Sequence, residues 1–293
     1  MNTRVFRMWV VAAAVFSAVA ARGQSSIALD LTNRCAWAAN AGWINFVPSE
    51  TDGAVIGEFV CWGYLYSGNV GWVRLGDGSP TNGYQYSNAT GQDFGINHDG
   101  LGNLRGLAWS ANVGWLKFES IGAPSVNLLT GDLSGHVWAA NLGWISLSNA
   151  ERGVRTCWLD SGPDADGDGM PDMWEYKWVG STGVFTSTSY TDADSVLDKD
   201  EYHAGTSPLN SNSYLRVVNV VSSAVPDHTD VTWTTELRRQ YYLEVSPAVT
   251  NDTIWSDSGL GLLLPSGAVM KETSTNATTK QFWRVRPERP LAE

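Results

Sequence analysis

The pattern of apolar and polar positions repeats four times in the first half of the chain. The segments are "AWAANAGWINF" (36–46), "LYSGNVGWVRL" (65–75), "AWSANVGWLKF" (108–118) and "VWAANLGWISL" (137–147). Each places an aromatic residue three positions before an Asn, then Gly-Trp, then an apolar–polar–apolar end. The flanks are rich in aromatic and β-branched residues, which favour strands. The Asn-x-Gly centre supplies residues that tolerate positive φ, as a tight turn requires. Each segment therefore predicts a β-hairpin. Upstream of the third and fourth lie "FGINHDGLGNLRG" (94–106) and "SVNLLTGDLSG" (125–135), each a short strand, a Gly/Asp turn and a strand entering the hairpin. One unit is then a three-stranded antiparallel meander. The second Trp of each unit, at 43, 72, 115 and 144, recurs at spacings of 29, 43 and 29 residues, which groups the units in two pairs. Four meanders build either a small propeller or a closed barrel with pseudo-twofold symmetry. The propeller-like arrangement is preferred here. A single long sheet would leave exposed edges.

The pattern changes twice further on. "MWEYKWV" (173–179) predicts a short helix behind an acidic run. From Tyr214, "YLRVVNVV", "DVTWTT", "QYYLEVS", "TIWSDS" and "QFWRVRP" read as strands at short intervals. They predict a small β-sandwich, broadly fibronectin type III-like. The fold class expected is mainly β: the four meanders, a short loop-and-helix connector, and the C-terminal sandwich. The boundaries expected are 1–20 for a leader, 26–155 for the repeats, 160–212 for the connector and 213–290 for the sandwich.

Charge sharpens this division. The 293 residues carry a net charge of −11. Asp160 to Glu201 holds eleven acids against Lys177 and Lys199, which is −9 of that total. So acidic a chain argues against nucleic acid, whose phosphates need a basic surface, and against docking on anionic membranes. The N-terminus has Arg4 and Arg7, an apolar run from Met8 to Ala20, and small residues at Ala18–Ala20. This reads as a secretory signal peptide, too short in its apolar run to be a membrane span. The mature protein is then expected outside the cell or on its surface, with no membrane span after cleavage. Export permits disulfides, and Cys35, Cys61 and Cys157 allow one pair plus one free thiol, with the pairing open.

Two readings fit the repeated tryptophans Trp37, Trp43, Trp72, Trp109, Trp115, Trp138 and Trp144. The first, preferred on general grounds, is core: each pair packs against the next unit, as aromatic residues do in repeat folds. The second is a stacking platform for sugar rings, which would make polysaccharide or a cell-surface component the partner. The pattern resembles Trp-rich repeats of the form G-x-A-W-x-x-N-x-G-W-I-x-F, found in secreted and surface proteins of environmental bacteria. That resemblance covers roughly residues 30–150 and implies no particular activity.

"DADGDGMPDMWE" (164–175) carries the clearest chemistry. Counting Asp164 as position 1, Asp166 is 3, Asp168 is 5, Gly169 is 6, Asp172 is 9 and Glu175 is 12, which completes the calcium-loop pattern D-x-[DN]-x-[DN]-G-x5-E. The carboxylates at 1, 3 and 5 face inward on a curling loop, and the Met170 carbonyl is expected as a ligand. Asp172 is expected to act through a water and Glu175 to give both oxygens. Hard oxygen donors without His or Cys suit Ca²⁺. Gly162-Pro163 disfavours an entering helix, and Pro171 fills position 8. The segment thus resembles EF-hand-like loops of the thrombospondin type 3 or dockerin kind, with an exit helix only. A degraded second copy places Asp192, Asp194, Asp198 and Glu201 at 3, 5, 9 and 12, with Tyr190 and Ser195 in place of the first Asp and the Gly. It reads as a weak second site, a structural remnant, or a donor of ligands to the first ion. The C-terminal module resembles accessory or surface-retention units that follow calcium repeats in secreted bacterial proteins.

No catalytic signature is present. His98, His136, His203 and His228 are not spaced as a metal pair, and there is no G-x-S-x-G, H-E-x-x-H or phosphate loop. The expectation is a secreted, calcium-binding surface or adhesion protein, with glycan binding through the Trp repeats. One alternative is a purely structural surface component. The other is a glycoside hydrolase with a carboxylate pair on the repeat scaffold.

Overall fold

The structure, a computed structural model, describes residues 25–49, 51–250, 253–276 and 281–292. The leader expected over residues 1–20 lies outside these. Twelve strands come from the first half. They are β1 (Cys35–Ala38), β2 (Gly42–Asn45), β3 (Val55–Ile56), β4 (Val60–Ser67), β5 (Gly71–Gly76), β6 (Ile96–His98), β7 (Leu104–Ser110), β8 (Gly114–Phe118), β9 (Ser125–Val126), β10 (Leu133–Ser134), β11 (His136–Ala139) and β12 (Gly143–Ser146). The four Asn-x-Gly segments form the hairpins β1β2, β4β5, β7β8 and β11β12. Glycine is required at each turn: Gly42, Gly71, Gly114 and Gly143 have φ of +79°, +76°, +81° and +79°, a left-handed conformation costly for other residues.

The hairpins close on themselves. Strand order runs β2-β1-β12-β11-β8-β7-β5-β4, and the Asn45–Tyr66 pairing of β2 with β4 completes an eight-stranded antiparallel barrel. The propeller preferred from the sequence is thereby corrected. Each hairpin pairs edge to edge with its neighbours, so the four build one sheet, and closure removes the free edges. Three-strand meanders form where β3 joins β4 and where β6 joins β7. By contrast, β9 and β10 form a separate two-stranded sheet, which touches the barrel through a bridge from Ser125 to Asn103.

Alternation along the strands decides which residues fill the barrel. The inward cross-strand pairs are Ala36–Ile44, Leu65–Val73, Ala108–Leu116 and Val137–Ile145, all buried. Two of these pairs set alanine opposite a branched residue and two set branched residues together, which suits an eight-stranded interior just wide enough for side chains to fill. The intervening positions carry the aromatic pairs and point outward. Trp37, Trp43, Trp72, Trp109 and Trp144 are 37–51% exposed, and Trp115 and Trp138 are half-buried. The reading of these tryptophans as core is therefore corrected. Their rings pair across their own hairpin on the outer face. Period-two side-chain direction places them outside, because the alanines and β-branched residues between them face in.

One end of the barrel is closed by its turns. Ala41, Val70, Val113 and Leu142 are buried there. The turn asparagines bridge to them in a cycle. Asn40 Nδ2 donates to the Leu142 carbonyl (3.0 Å), Asn141 to Val113 (3.1 Å), Asn112 to Val70 (3.1 Å) and Asn69 to Ala41 (3.1 Å). Each hairpin is thus bonded to the next around the whole ring.

The helices α1 (Asp172–Val179) and α2 (Asp198–Ala204) follow the two acidic loops. Met170, Trp174, Phe185 and Tyr202 form a small core between them. The longer interval between the second and third repeats has a structural use. Its extra residues carry Tyr86, which packs with Val60 and with Met173 of α1. Irregular spacing in the repeat thus builds the seat for the acidic unit.

The last six strands form two three-stranded sheets. One is β13 (Val217–Ser222), β14 (His228–Thr234) and β17 (Val269–Thr275); the other is β15 (Gln240–Ser246), β16 (Ser256–Asp257) and β18 (Phe282–Glu288). Val231 and Trp233 of the first share a buried cluster with Tyr241 and Leu243 of the second. The chain then returns to the barrel, where Leu291 packs against the core and its carbonyl accepts from the Leu159 amide (2.9 Å).

All three cysteines are free. The expected single disulfide is corrected. Cys35 and Cys61 are buried strand residues, and Cys157 is exposed. Burial pushes the Cys61 thiol up to about 12, which keeps it protonated.

Candidate metal centre and aromatic surface

Asp164, Asp166 and Asp168 converge, each offering an oxygen within 4.8 Å of the others. Loop geometry follows from backbone amides. Asp164 accepts from the amides of Gly167 (2.9 Å), Asp168 (3.2 Å) and Gly169 (2.9 Å), which curls the chain around it. Gly167 and Gly169 supply the positive φ that this curl needs, +74° and +91°. No helix leads directly into the loop, and α1 leaves it, as the Gly162-Pro163 step predicts. The Asp172 side chain is used inside the loop, accepting from the Ala165 amide at 2.8 Å.

Glu175 is the most informative residue of the site. It is fully buried, and neither carboxylate oxygen has a hydrogen-bond partner among the described residues. Burial, then the fields of Asp168, Asp166, Asp172 and Asp164, push its carboxyl up to about 8. Asp168 is raised too, by burial and by Asp166 and Asp164, and its Oδ2 is buried without a partner. A fold that buries an unpaired carboxylate among aspartates bears a desolvation cost that a bound cation removes. The donor set is all oxygen, as a hard divalent cation requires.

The second loop follows the same plan with a different converging set. Asp192, Asp194 and Glu201 converge within the same 4.8 Å limit. Glu201 is fully buried with Oε2 unpartnered, and burial, then Asp192 and Asp194, push it up to about 8. Asp198 matches Asp172, accepting from the Thr191 amide (3.0 Å), and it also holds the Ser189 hydroxyl. It stands outside the converging group. Ala193 and Ser195 adopt φ of +63° and +73°, the conformations that Gly167 and Gly169 take in the first loop. Two non-glycine residues held there are strained by about 1–2 kcal/mol each. The second loop gathers its own carboxylates and does not lend them to the first. What it does lend is Lys199, whose ammonium lies so near Gly169 that a Cβ there would fall 2.3 Å from Nζ. No motif pointed to Lys199, since the contact exists only once the two loops pack.

The aromatic surface is built from four cross-strand pairs. Trp37–Trp43, Trp109–Trp115 and Trp138–Trp144 sit edge to face with ring centroids 4.7, 4.6 and 5.1 Å apart. Tyr66 takes the first position beside Trp72, at 5.1 Å. Phe94 and His136 extend the third and fourth pairs. All candidate tryptophans thus lie on the outer barrel face, one aromatic pair per hairpin.

Carboxylates elsewhere are largely engaged. Glu58 is bound by Arg239 (3.4 Å), Arg289 (3.3 Å) and the Tyr202 hydroxyl (3.0 Å). Asp99 accepts from the Leu101 and Asn103 amides and the Asn103 side chain. No helix among the described residues is long and apolar enough to cross a membrane. Comparison of the chain with protein-family models, curated proteins and solved structures gives no match.

Proposed function

We propose that this is a secreted, calcium-binding modular protein of the cell surface, non-catalytic, whose repeat barrel contacts polysaccharide. The observation that carries the calcium reading is the pair Glu175 and Glu201, fully buried and facing two groups of aspartates. In this reading the ligands at the first loop are Asp164, Asp166, Asp168, Glu175 and the Met170 carbonyl, with Asp172 acting through a water. The loops belong to the thrombospondin type 3 or dockerin kind. The second loop is a weaker site, because Tyr190 supplies no carboxylate at position 1. Extracellular calcium modules bind with Kd of about 10⁻⁴–10⁻³ M, so such sites are filled outside cells and serve to stiffen the connector between repeat barrel and sandwich. The test is a thermal melt in millimolar calcium against chelator, for the wild type and Asp164→Ala. A rise with calcium that the variant loses is expected. No shift in either protein rejects the site.

The polysaccharide reading rests on a separate observation, the outward tryptophan pairs. Large exposed aromatic faces cost solubility unless something covers them. Indole faces stack on the C–H faces of sugar rings. A glycan array in calcium, with Trp72→Ser and Trp109→Ser beside the wild type, tests this. Binding that both variants weaken supports it. An array without signal favours the purely structural surface component. The occupied state of Glu58 and Asp99 weighs against the hydrolase.

A further inference from the structure

A cavity of about 430 Å³ lies where the barrel, helix α1, the C-terminal sheets and the returning tail meet. Its size suits a small organic ligand. Four bases and three acids line it, Lys177, Arg238, Arg239 and Arg289 against Glu58, Asp99 and Glu236. That is a local excess of positive charge in a chain of net −11.

The bases divide into two kinds. Arg239 and Arg289 are spent on the fold: both bind Glu58, Arg239 also donates to the carbonyls of Tyr202 and His203, and Arg289 to the Tyr202 hydroxyl. Lys177 and Arg238 form no ion pair and no side-chain hydrogen bond among the described residues. The Lys177 ammonium stands 5.2 Å from the Trp178 ring centroid, a cation–π contact that leaves its three donors unused. Asp99 does not answer them, because its oxygens are taken by its own turn. Among the described residues the Gln85 side chain, which also lines the wall, makes no hydrogen bond, and the Ser213 hydroxyl accepts from the Ser207 amide and donates to none. Unused donors of this kind, set beside the indole of Trp178, complement an acceptor-rich anion with an apolar edge.

We propose that this cavity binds a small carboxylate-bearing ligand, with Lys177 and Arg238 holding the carboxylate and Trp178 covering its apolar face. The site is distinct from the calcium loops and from the outer tryptophan pairs. The same chemistry is offered by a sugar acid and by a free dicarboxylate, so both serve as probes. The calcium-saturated full chain is titrated with glucuronate, with succinate, and with glucose as the neutral control, followed by saturation-transfer NMR. Saturable binding of at least one acid, not matched by glucose, is expected. Glucuronate alone identifies a sugar-acid site, and succinate alone a dicarboxylate site. Arg238→Gln and Lys177→Gln should each weaken binding about tenfold, as loss of one charged hydrogen bond does. Lys177→Arg should retain most of it. Melting temperatures within a few degrees of wild type show that the variants fold. No binding of either acid at 10 mM, equal binding of glucose, or unchanged affinity in a folded Arg238→Gln overturns the proposal.

Discussion

Glu175 and Glu201 are where single residues govern this protein's chemistry. Both have folded-state pKa values raised from 4.5 to about 8 when no cation answers them. The metal-free fold therefore holds a proton that the unfolded chain has already released. Its extra stability is fully present below about pH 4.5 and is lost as pH rises towards 8. Melting curves in chelator should shift to lower temperature across that window. Calcium requires the ionised carboxylates, so its stabilising effect should grow over the same window and vanish near pH 4.5. Glu175→Gln should flatten the chelator profile and abolish most of the calcium response together. A chelator profile that is level from pH 5 to 8 would contradict the burial of these two groups. Strain is also local. Ala193→Gly relieves a left-handed alanine at the cost of a more flexible unfolded chain, and a net gain of about 0.5–1 kcal/mol is expected by denaturant titration.

Hairpins are the elements that make the barrel, and their turns join them. The asparagine cycle gives each turn one bond to its neighbour, Asn112 to Val70 among them. Asn112→Ala should cost about 1 kcal/mol, the usual net worth of one hydrogen bond. Gly71→Ala should cost more, at about 2 kcal/mol, because it forces a β-carbon into the left-handed region. That carbon would also lie 2.7 Å from Asn112 Nδ2, so the same change disturbs the cycle. Urea unfolding of both variants checks the order. Equal stability of the two would show that the turn conformation is not fixed by glycine. The outer tryptophans behave differently: Trp72→Ser removes a ring that is 51% exposed and should cost less than Val73→Asp, which buries an unpaired charge in the barrel.

Across the molecule, Glu58 ties the parts together. It sits in a barrel loop and meets Arg239 and Arg289 from the C-terminal region and Tyr202 from α2. Arg239 is 6% exposed at its side chain, so removing Glu58 leaves a buried guanidinium without its counter-ion. Glu58→Ala should cost about 3 kcal/mol and loosen all three regions at once. Lys117→Ala, at an ion pair whose partners are nearly half exposed, should change stability by less than about 1 kcal/mol. Calorimetry distinguishes the two cases. Separate transitions in Glu58→Ala, against a single one in the wild type, are the expected sign that the weld has failed.

By itself the sequence determined the local structure. The Asn-x-Gly centres fixed four hairpins, since few residues other than glycine take positive φ cheaply. The spacing of Asp164, Asp166, Asp168 and Glu175 placed a carboxylate loop ahead of an exit helix, for the same short-range reason. Direction and closure were decided at longer range. Trp37 and Ala38 sit side by side in the chain, and nothing local says which faces inward. The barrel decides it, because an eight-stranded interior admits alanine opposite isoleucine and has no room for three pairs of indoles and a Tyr–Trp pair. Propeller and barrel share the same hairpins and differ only in the edge pairing between them, such as Asn45 with Tyr66. Lys199 beside Gly169, the Glu58 cluster and the cavity with Lys177 and Arg238 are likewise contacts between distant segments. They have no period or motif to betray them, since each exists only after the separate parts have packed.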